Sequence, residues 1–155
     1  MTKILIELAQ PSDAPTLTEL ARASKAHWGY DAAFLAACAA ELLITPRDIM
    51  ANPTFIGRDE QQIVGFYLLV AHDATVIDLD YLYVAPASIG RGWGRRLFDH
   101  ARHTATALGY QTLRIVADPH AAAFYERIGA ALVGNEPSGS ISGRTLPLFA
   151  YSLSY

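Results

Sequence analysis

Three glycines at alternate positions, Gly90, Gly92 and Gly94, separate an apolar run that ends at Val84 from a helical pattern that opens near Arg95. A strand, a glycine-rich turn and a helix start in that order leave backbone N–H groups unpaired at the positive end of a helix dipole. Such a turn takes a phosphate or a pyrophosphate. Arg91, Arg95 and Arg96 add positive charge beside it. Trp93, inside the turn, suits packing beneath the helix better than stacking on a ligand. A dinucleotide fingerprint would need a third glycine where Arg95 stands, and a turn within the first βαβ unit. Upstream, Asp78 and Asp80 stand two apart on one strand, on one face and about 7 Å from each other. Either can take a proton; either can also be a solvated strand residue. Arg144, in the stretch Ser138 to Arg144, suits a carboxylate ligand, or solvent. His100 and His103 have helical spacing but no carboxylate pair beside them, so no metal is expected.

The elements that must position these residues follow from periodicity and punctuation. Lys3 to Leu8 reads as a first strand, and Asp13 to Lys25 as a helix with Ala14, Leu17, Leu20 and Ala21 on one face. Asp31 is an N-cap for an alanine-rich helix, Ala32 to Leu43, and Pro46 to Met50 suits one more helical turn. Thr54 to Arg58 and Ile63 to Ala71 form a hairpin, and Val76 to Val84 leads into the glycine turn. Arg95 to Leu108 is a helix with Leu97, Ala101, Ala105 and Leu108 on one face. Thr112 to Ala117 is a strand. Asp118-Pro119 starts a helix that stops at Gly129. Ala130 to Gly134 and Leu148 to Tyr155 are the last strands, joined by a long polar loop from Asn135 to Pro147.

Composition narrows the function classes. The chain has 155 residues, 52% of them hydrophobic and 17% charged, which suits one globular domain over residues 1–155. A net charge of −3 gives no global field for nucleic acid. Cys38 is the only cysteine, which excludes an internal disulfide and fits a reducing cytoplasm. No run reaches the length of a membrane span. Phe149, Tyr151 and Leu153 alternate on the last strand, and as exposed residues they would form a homodimer face.

Two motifs carry a resemblance. The frame Ile89-Gly90-Arg91-Gly92-Trp93-Gly94 resembles the pyrophosphate-binding pattern of the GNAT superfamily of N-acetyltransferases. It matches at Gly92 and Gly94, with Ile89 in place of the usual Gln or Arg. Asp118-Pro119-His120-Ala121-Ala122-Ala123-Phe124-Tyr125-Glu126-Arg127-Ile128-Gly129-Ala130 is similar to the family's second motif, with Asp118 for the usual Asn and Ala130 for the usual Phe. The motif likeness spans residues 76 to 130. It implies a mixed α+β fold. A mostly antiparallel sheet of about six to seven strands would be flanked by about four helices and splayed at the strand before the glycine turn.

The resemblance also implies acetyl-CoA as co-substrate and no metal. The acceptor would be a primary amine on a small molecule or peptide, attacking the thioester directly in a ternary complex. A non-catalytic CoA-binding module of the same fold is the alternative. An amine with a pKa of about 10 must lose a proton before it attacks. Asp78 lies where many members carry a catalytic Glu, with Asp80 second. Tyr125 corresponds to the family's acid, with Phe124 as its inward-facing neighbour. Leu82, Tyr83 and Val84 would meet the pantetheine arm. Residues Gly90, Arg91, Gly92, Trp93, Gly94 and Arg95 would meet the pyrophosphate, and Asp118 and Phe124 would complete the cofactor site. Trp28 and Tyr30, with Arg144, would shape the acceptor mouth.

Overall fold

The computed structural model describes residues 4–153. The chain begins with β1 (Ile4–Leu8), turns at Pro11–Asp13 and enters α1 (Ala14–Ala26). α1 buries Ala14, Leu17, Leu20 and Ala21, the stripe expected of a helix lying on a sheet. Asp31 caps α2 (Ala32–Cys38) by accepting the Phe34 N–H at 2.8 Å. The alanine-rich segment does not stay helical to Leu43. Its i→i−3 bonds, Ala39 N–H to Ala36 C=O and Leu43 N–H to Ala40 C=O, tighten the chain. That turn drops Leu42 into the core at 5% exposure. Thr45 and Asp48 form a reciprocal capping box that starts α3 (Pro46–Ala51).

Six more strands complete the sheet. They are β2 (Thr54–Asp59), β3 (Gln62–Ala71), β4 (Val76–Val84), β5 (Thr112–Val116) and the hairpin of β6 (Ala131–Pro137) with β7 (Thr145–Ser152). Two helices connect them: α4 (Trp93–Ala107), and α5 (Ala122–Arg127) after a 3₁₀ turn at Pro119–Ala121. The seven strands lie in the order β1-β2-β3-β4-β5-β7-β6. Every pairing is antiparallel except β4 with β5. The architecture is the expected mixed α+β sheet, with five α-helices rather than four. The hairpin ladder runs to Pro137↔Thr145, so the loop is only residues 138–144.

Both faces of the sheet are covered. One apolar cluster joins Leu17, Leu20 and Ala21 of α1 to Ile56 and Phe66. The other joins Leu97, Phe98, Ala101 and Ala105 of α4 to Tyr67, Leu69, Ile77, Leu113 and Phe149. Phe98 takes the place expected for Leu108, which is 54% exposed just past the helix end. α4 packs closely because β2 carries a glycine: a Cβ on Gly57 would lie 2.6 Å from the Trp93 ring. Trp93 is thus a packing residue and does not line the cleft described below. Phe149 and Leu153, read as an exposed dimer face, are 0% and 7% exposed beneath α4 and α5. Burying Phe149 there stabilises the fold by about 2–3 kcal/mol; Tyr151 stays partly exposed.

Candidate active site

The site begins as a gap between two strands. β4 and β5 pair in parallel only through Val76↔Thr112, Ile77↔Leu113 and Asp78↔Arg114. Beyond that rung β5 follows β7 and β4 follows β3, so the facing edges of Leu79–Val84 and Ile115–Ala117 separate. A bulge helps to part them. Leu68 pairs with Tyr81 and Leu69 with Leu79, which leaves Asp80 as the extra residue on β4. Because strand side chains alternate, the extra residue switches parity. Ile77 and Leu79 face the α4 cluster before it; Leu82 and Val84 face that cluster after it, and Tyr81 and Tyr83 face α1. The opening is a cavity of about 530 Å³ that runs from the glycine turn to the last turns of α1. Leu82, Tyr83 and Val84 line it, with backbone groups on their free edge.

At one end of this cleft the chain passes Pro86–Ser88 and makes the glycine turn. Gly90 and Gly92 both have left-handed backbone, φ +84° and +86°, which costs a side-chain-bearing residue strain. A Cβ at either would meet nothing within 4 Å, so backbone conformation and not crowding requires glycine here. Gly92 is the N-cap of α4, and the Arg96 N–H bonds its carbonyl at 3.1 Å. The N–H groups of the preceding residues therefore point out of the helix end. Gly90, Gly92, Gly94 and Arg95 line the cleft. Arg91 is exposed outside it, and Arg96 stacks over the Trp93 ring at 5.6 Å. The helix starts at Trp93, two residues earlier than periodicity indicates, because Trp93 is drawn into the core.

Tyr125 and Phe124 line the same cleft from α5. Their roles in packing are the reverse of the sequence reading. Tyr125 is 5% exposed and lies against Phe98 and Phe149, while Phe124 is half-buried over Gly94. No described group bonds the Tyr125 hydroxyl, yet it is not sealed off. Burial pushes its phenol further above the ordinary tyrosine value, so the O–H keeps its proton at neutral pH.

The two aspartates separate in role. Asp78 sits on the last paired rung, opposite Arg114, whose Nη1 lies 3.2 Å from its carboxylate. His72 lies 3.7 Å away, and Arg114 also pairs Glu136 at 3.0 Å. Asp78 does not line the cleft; Asp80, where the strands have parted, does. Enclosure by the surrounding chain raises the Asp80 carboxyl, and the negative charges of Asp78, Asp48 and Glu41 raise it further. Its side chain stays open to water. A carboxylate with a raised pKa and access to water suits a proton acceptor.

The far end is built from side chains already engaged with one another. Asp118 accepts from Lys25 Nζ at 2.5 Å, from the Tyr30 hydroxyl at 2.9 Å and from the His120 N–H at 2.9 Å. Arg144 donates to the Tyr30 oxygen at 3.0 Å, lies 3.9 Å from Asp118 and covers the Phe34 ring at 4.7 Å. Burial alone would raise the Asp118 pKa; the bonds from Lys25, the His120 N–H and Tyr30 outweigh it and hold the carboxyl below the usual aspartate range. Burial, then the Asp118 bond, pushes the Tyr30 phenol up to about 12. Tyr30 and Arg144, read as acceptor ligands, are thus bound to each other, and neither lines the cleft. Trp28 does line it, 41% exposed and stacked on His120 at 5.2 Å with 3° between the rings. Lys25 and His120 are among the lining residues that sequence reasoning missed, and they are the ones bonded to Asp118. The available signal was Asp118 itself, a charge at a position where the resembling motif carries a neutral Asn.

Among the described residues no helix is long and apolar enough to cross a membrane, and no group of His, Cys, Asp and Glu is placed to hold a metal ion. No curated protein matches the chain. Solved structures share its fold. A GCN5-related N-acetyltransferase from Rhodopseudomonas palustris is 24% identical with a TM-score of 0.78, covering 96% of this chain and 94% of that one. PaiA N-acetyltransferase from Thermoplasma acidophilum, in complex with coenzyme A, is 18% identical with a TM-score of 0.80, covering 97% and 99%. YncA from Salmonella typhimurium, with acetyl-CoA, is 18% identical with a TM-score of 0.72, covering 99% and 95%. Residues 51–129 match the family described as the acetyltransferase (GNAT) domain, a stretch that holds the bulge, the glycine turn and the Tyr125 helix. The chain belongs to the GNAT acetyltransferase family.

Proposed function

We propose that this protein transfers the acetyl group of acetyl-CoA to a primary amine by direct attack within a ternary complex. The observation that carries the reading is one cleft lined together by the glycine turn, by Tyr125 of α5 and by Asp80 of β4. The residues present fit acetyl-CoA. The turn offers backbone N–H donors and Arg95 to a pyrophosphate, and Leu82–Val84 offers a free strand edge to the amides of a pantetheine arm. When bound, the thioester supplies an activated acetyl group. Asp80, through a water, takes the proton that the acceptor ammonium must lose before nitrogen attacks the carbonyl carbon. As the new C–N bond forms and the C–S bond breaks, the Tyr125 O–H gives its proton to the departing sulfur, and the second proton shed by the acylated nitrogen restores the phenol. Trp28 borders the acceptor side.

Thiol release from acetyl-CoA tests this, measured with a panel of spermidine, phenylethylamine, lysine, an aminoglycoside and a free-N-terminal peptide. Release that depends on one of these amines is expected. Tight acetyl-CoA binding without amine-dependent release from any of them would favour a CoA-binding module instead.

A further inference from the structure

Asp118 begins the motif that in the GNAT resemblance serves the cofactor, yet its carboxylate has little left to offer a cofactor. Oδ1 accepts the His120 N–H, Oδ2 accepts Lys25, and both oxygens lie 2.9 Å from the Tyr30 hydroxyl. Four separate segments meet there: the last turn of α1 through Lys25, the α1–α2 connection through Tyr30, the entry to α5, and the 138–144 loop through Arg144. Side-chain exposures of 11% for Lys25, 14% for Asp118 and 19% for Arg144 place the cluster largely out of water. There the two cations depend on this carboxylate for charge balance. The cluster also holds the wall of the mouth: His120, fixed by its own N–H bond to Asp118, meets Tyr30 edge-on and stacks flat on Trp28.

We propose that Asp118 is a positioning residue that closes the acceptor mouth, tying the 138–144 loop and the Trp28–His120 wall to the start of the helix that carries Tyr125. This rests on the acetyltransferase reading only for its kinetic consequence. A neutral residue at 118 leaves Lys25 and Arg144 without a counter-ion. The Tyr30 bridge then loosens, and the loop and wall lose their fixed places while the glycine turn, at the other end of the cleft, keeps its own.

The test uses the full chain as Asp118→Asn, Tyr30→Phe and the double variant Lys25→Met/Asp118→Asn, and has three readouts. These are tryptic cleavage after Arg144, acetyl-CoA affinity by calorimetry, and the split of KM from kcat for the amines of the panel. Tyr30→Phe removes only the bridging oxygen and is expected to fold. The expected result is cleavage about tenfold faster in both single variants, partial recovery in the double variant, amine KM about tenfold higher and acetyl-CoA affinity within about twofold. Acetyl-CoA affinity about tenfold weaker with cleavage unchanged would make Asp118 a cofactor ligand and overturn the proposal. Unchanged cleavage and unchanged amine KM would overturn it as well. Should no amine react with the parent protein, the acetyl-transfer reading fails, and cleavage and affinity alone still decide the role of Asp118.

Discussion

The two ends of the cleft are built on opposite principles. The glycine end is defined by what is left open: positive-φ residues without side chains, helix-start N–H groups with no acceptor inside the helix, and a strand edge whose neighbour has turned away. The mouth is defined by what is already satisfied, with Lys25, Asp118, Tyr30 and Arg144 bonded to one another and Trp28 stacked on His120. Open backbone donors suit a ligand part that every turnover shares. A closed side-chain network suits shape selection, since its polar groups are not free to grip an acceptor. The middle of the cleft, where the Tyr125 hydroxyl has no hydrogen-bond partner among the described residues and Asp80 faces water, is where chemistry is expected.

Breaking the middle should have the largest effect. Tyr125→Phe keeps the packing against Phe98 and Phe149 but removes the O–H; kcat should fall about 10²-fold, with acetyl-CoA affinity unchanged by calorimetry. Asp80→Asn should cost about tenfold at neutral pH, because water can take the proton less efficiently in its place. The sign of its pH dependence follows from the role. The base works only when ionised, so the parent enzyme loses rate as pH falls through the raised Asp80 pKa, and the rate profile of Asp80→Asn should lack that limb.

At the mouth the readout is stability. The folded Asp118 pKa lies below its unfolded value, so its contribution is present above about pH 4 and is lost as pH falls from there through the lowered value. Urea melts of Asp118→Asn should lack that acid-side loss. Asp78→Asn should matter least. Its pairing with Arg114 is partly exposed and worth roughly 0–1 kcal/mol, and kcat should stay within about twofold, whereas a drop matching that of Asp80→Asn would return the base to Asp78.

Much of the fold was legible because its signals are local. The stripe Leu17, Leu20, Ala21 set α1, Asp118-Pro119 set the entry to α5, and the run to Val84 followed by alternating glycines set the donor end. What was not legible depends on partners distant in sequence. The bulge at Asp80 exists only in the pairing with Leu68 and Leu69, so two aspartates that look equivalent on one strand fall on either side of the point where the sheet opens. Arg114, 36 residues from Asp78, decides which of them is engaged. Tyr125 and not Phe124 turns inward because Phe98 and Phe149, from other elements, make room for it. Arg144 and Tyr30 look like free recognition groups until Asp118 brings them together. Phe149 and Leu153 look like an exposed face until α4 covers them.

Calorimetric titration of acetyl-CoA and of NADH into the parent protein and Gly92→Val tests the assignment of the open end most directly. The account predicts one-to-one binding of acetyl-CoA, none of NADH, and about tenfold or greater loss of acetyl-CoA affinity in Gly92→Val, where a β-branched residue cannot hold φ +86° without strain. Undiminished acetyl-CoA affinity in Gly92→Val, or no acetyl-CoA binding by the parent protein, would contradict it.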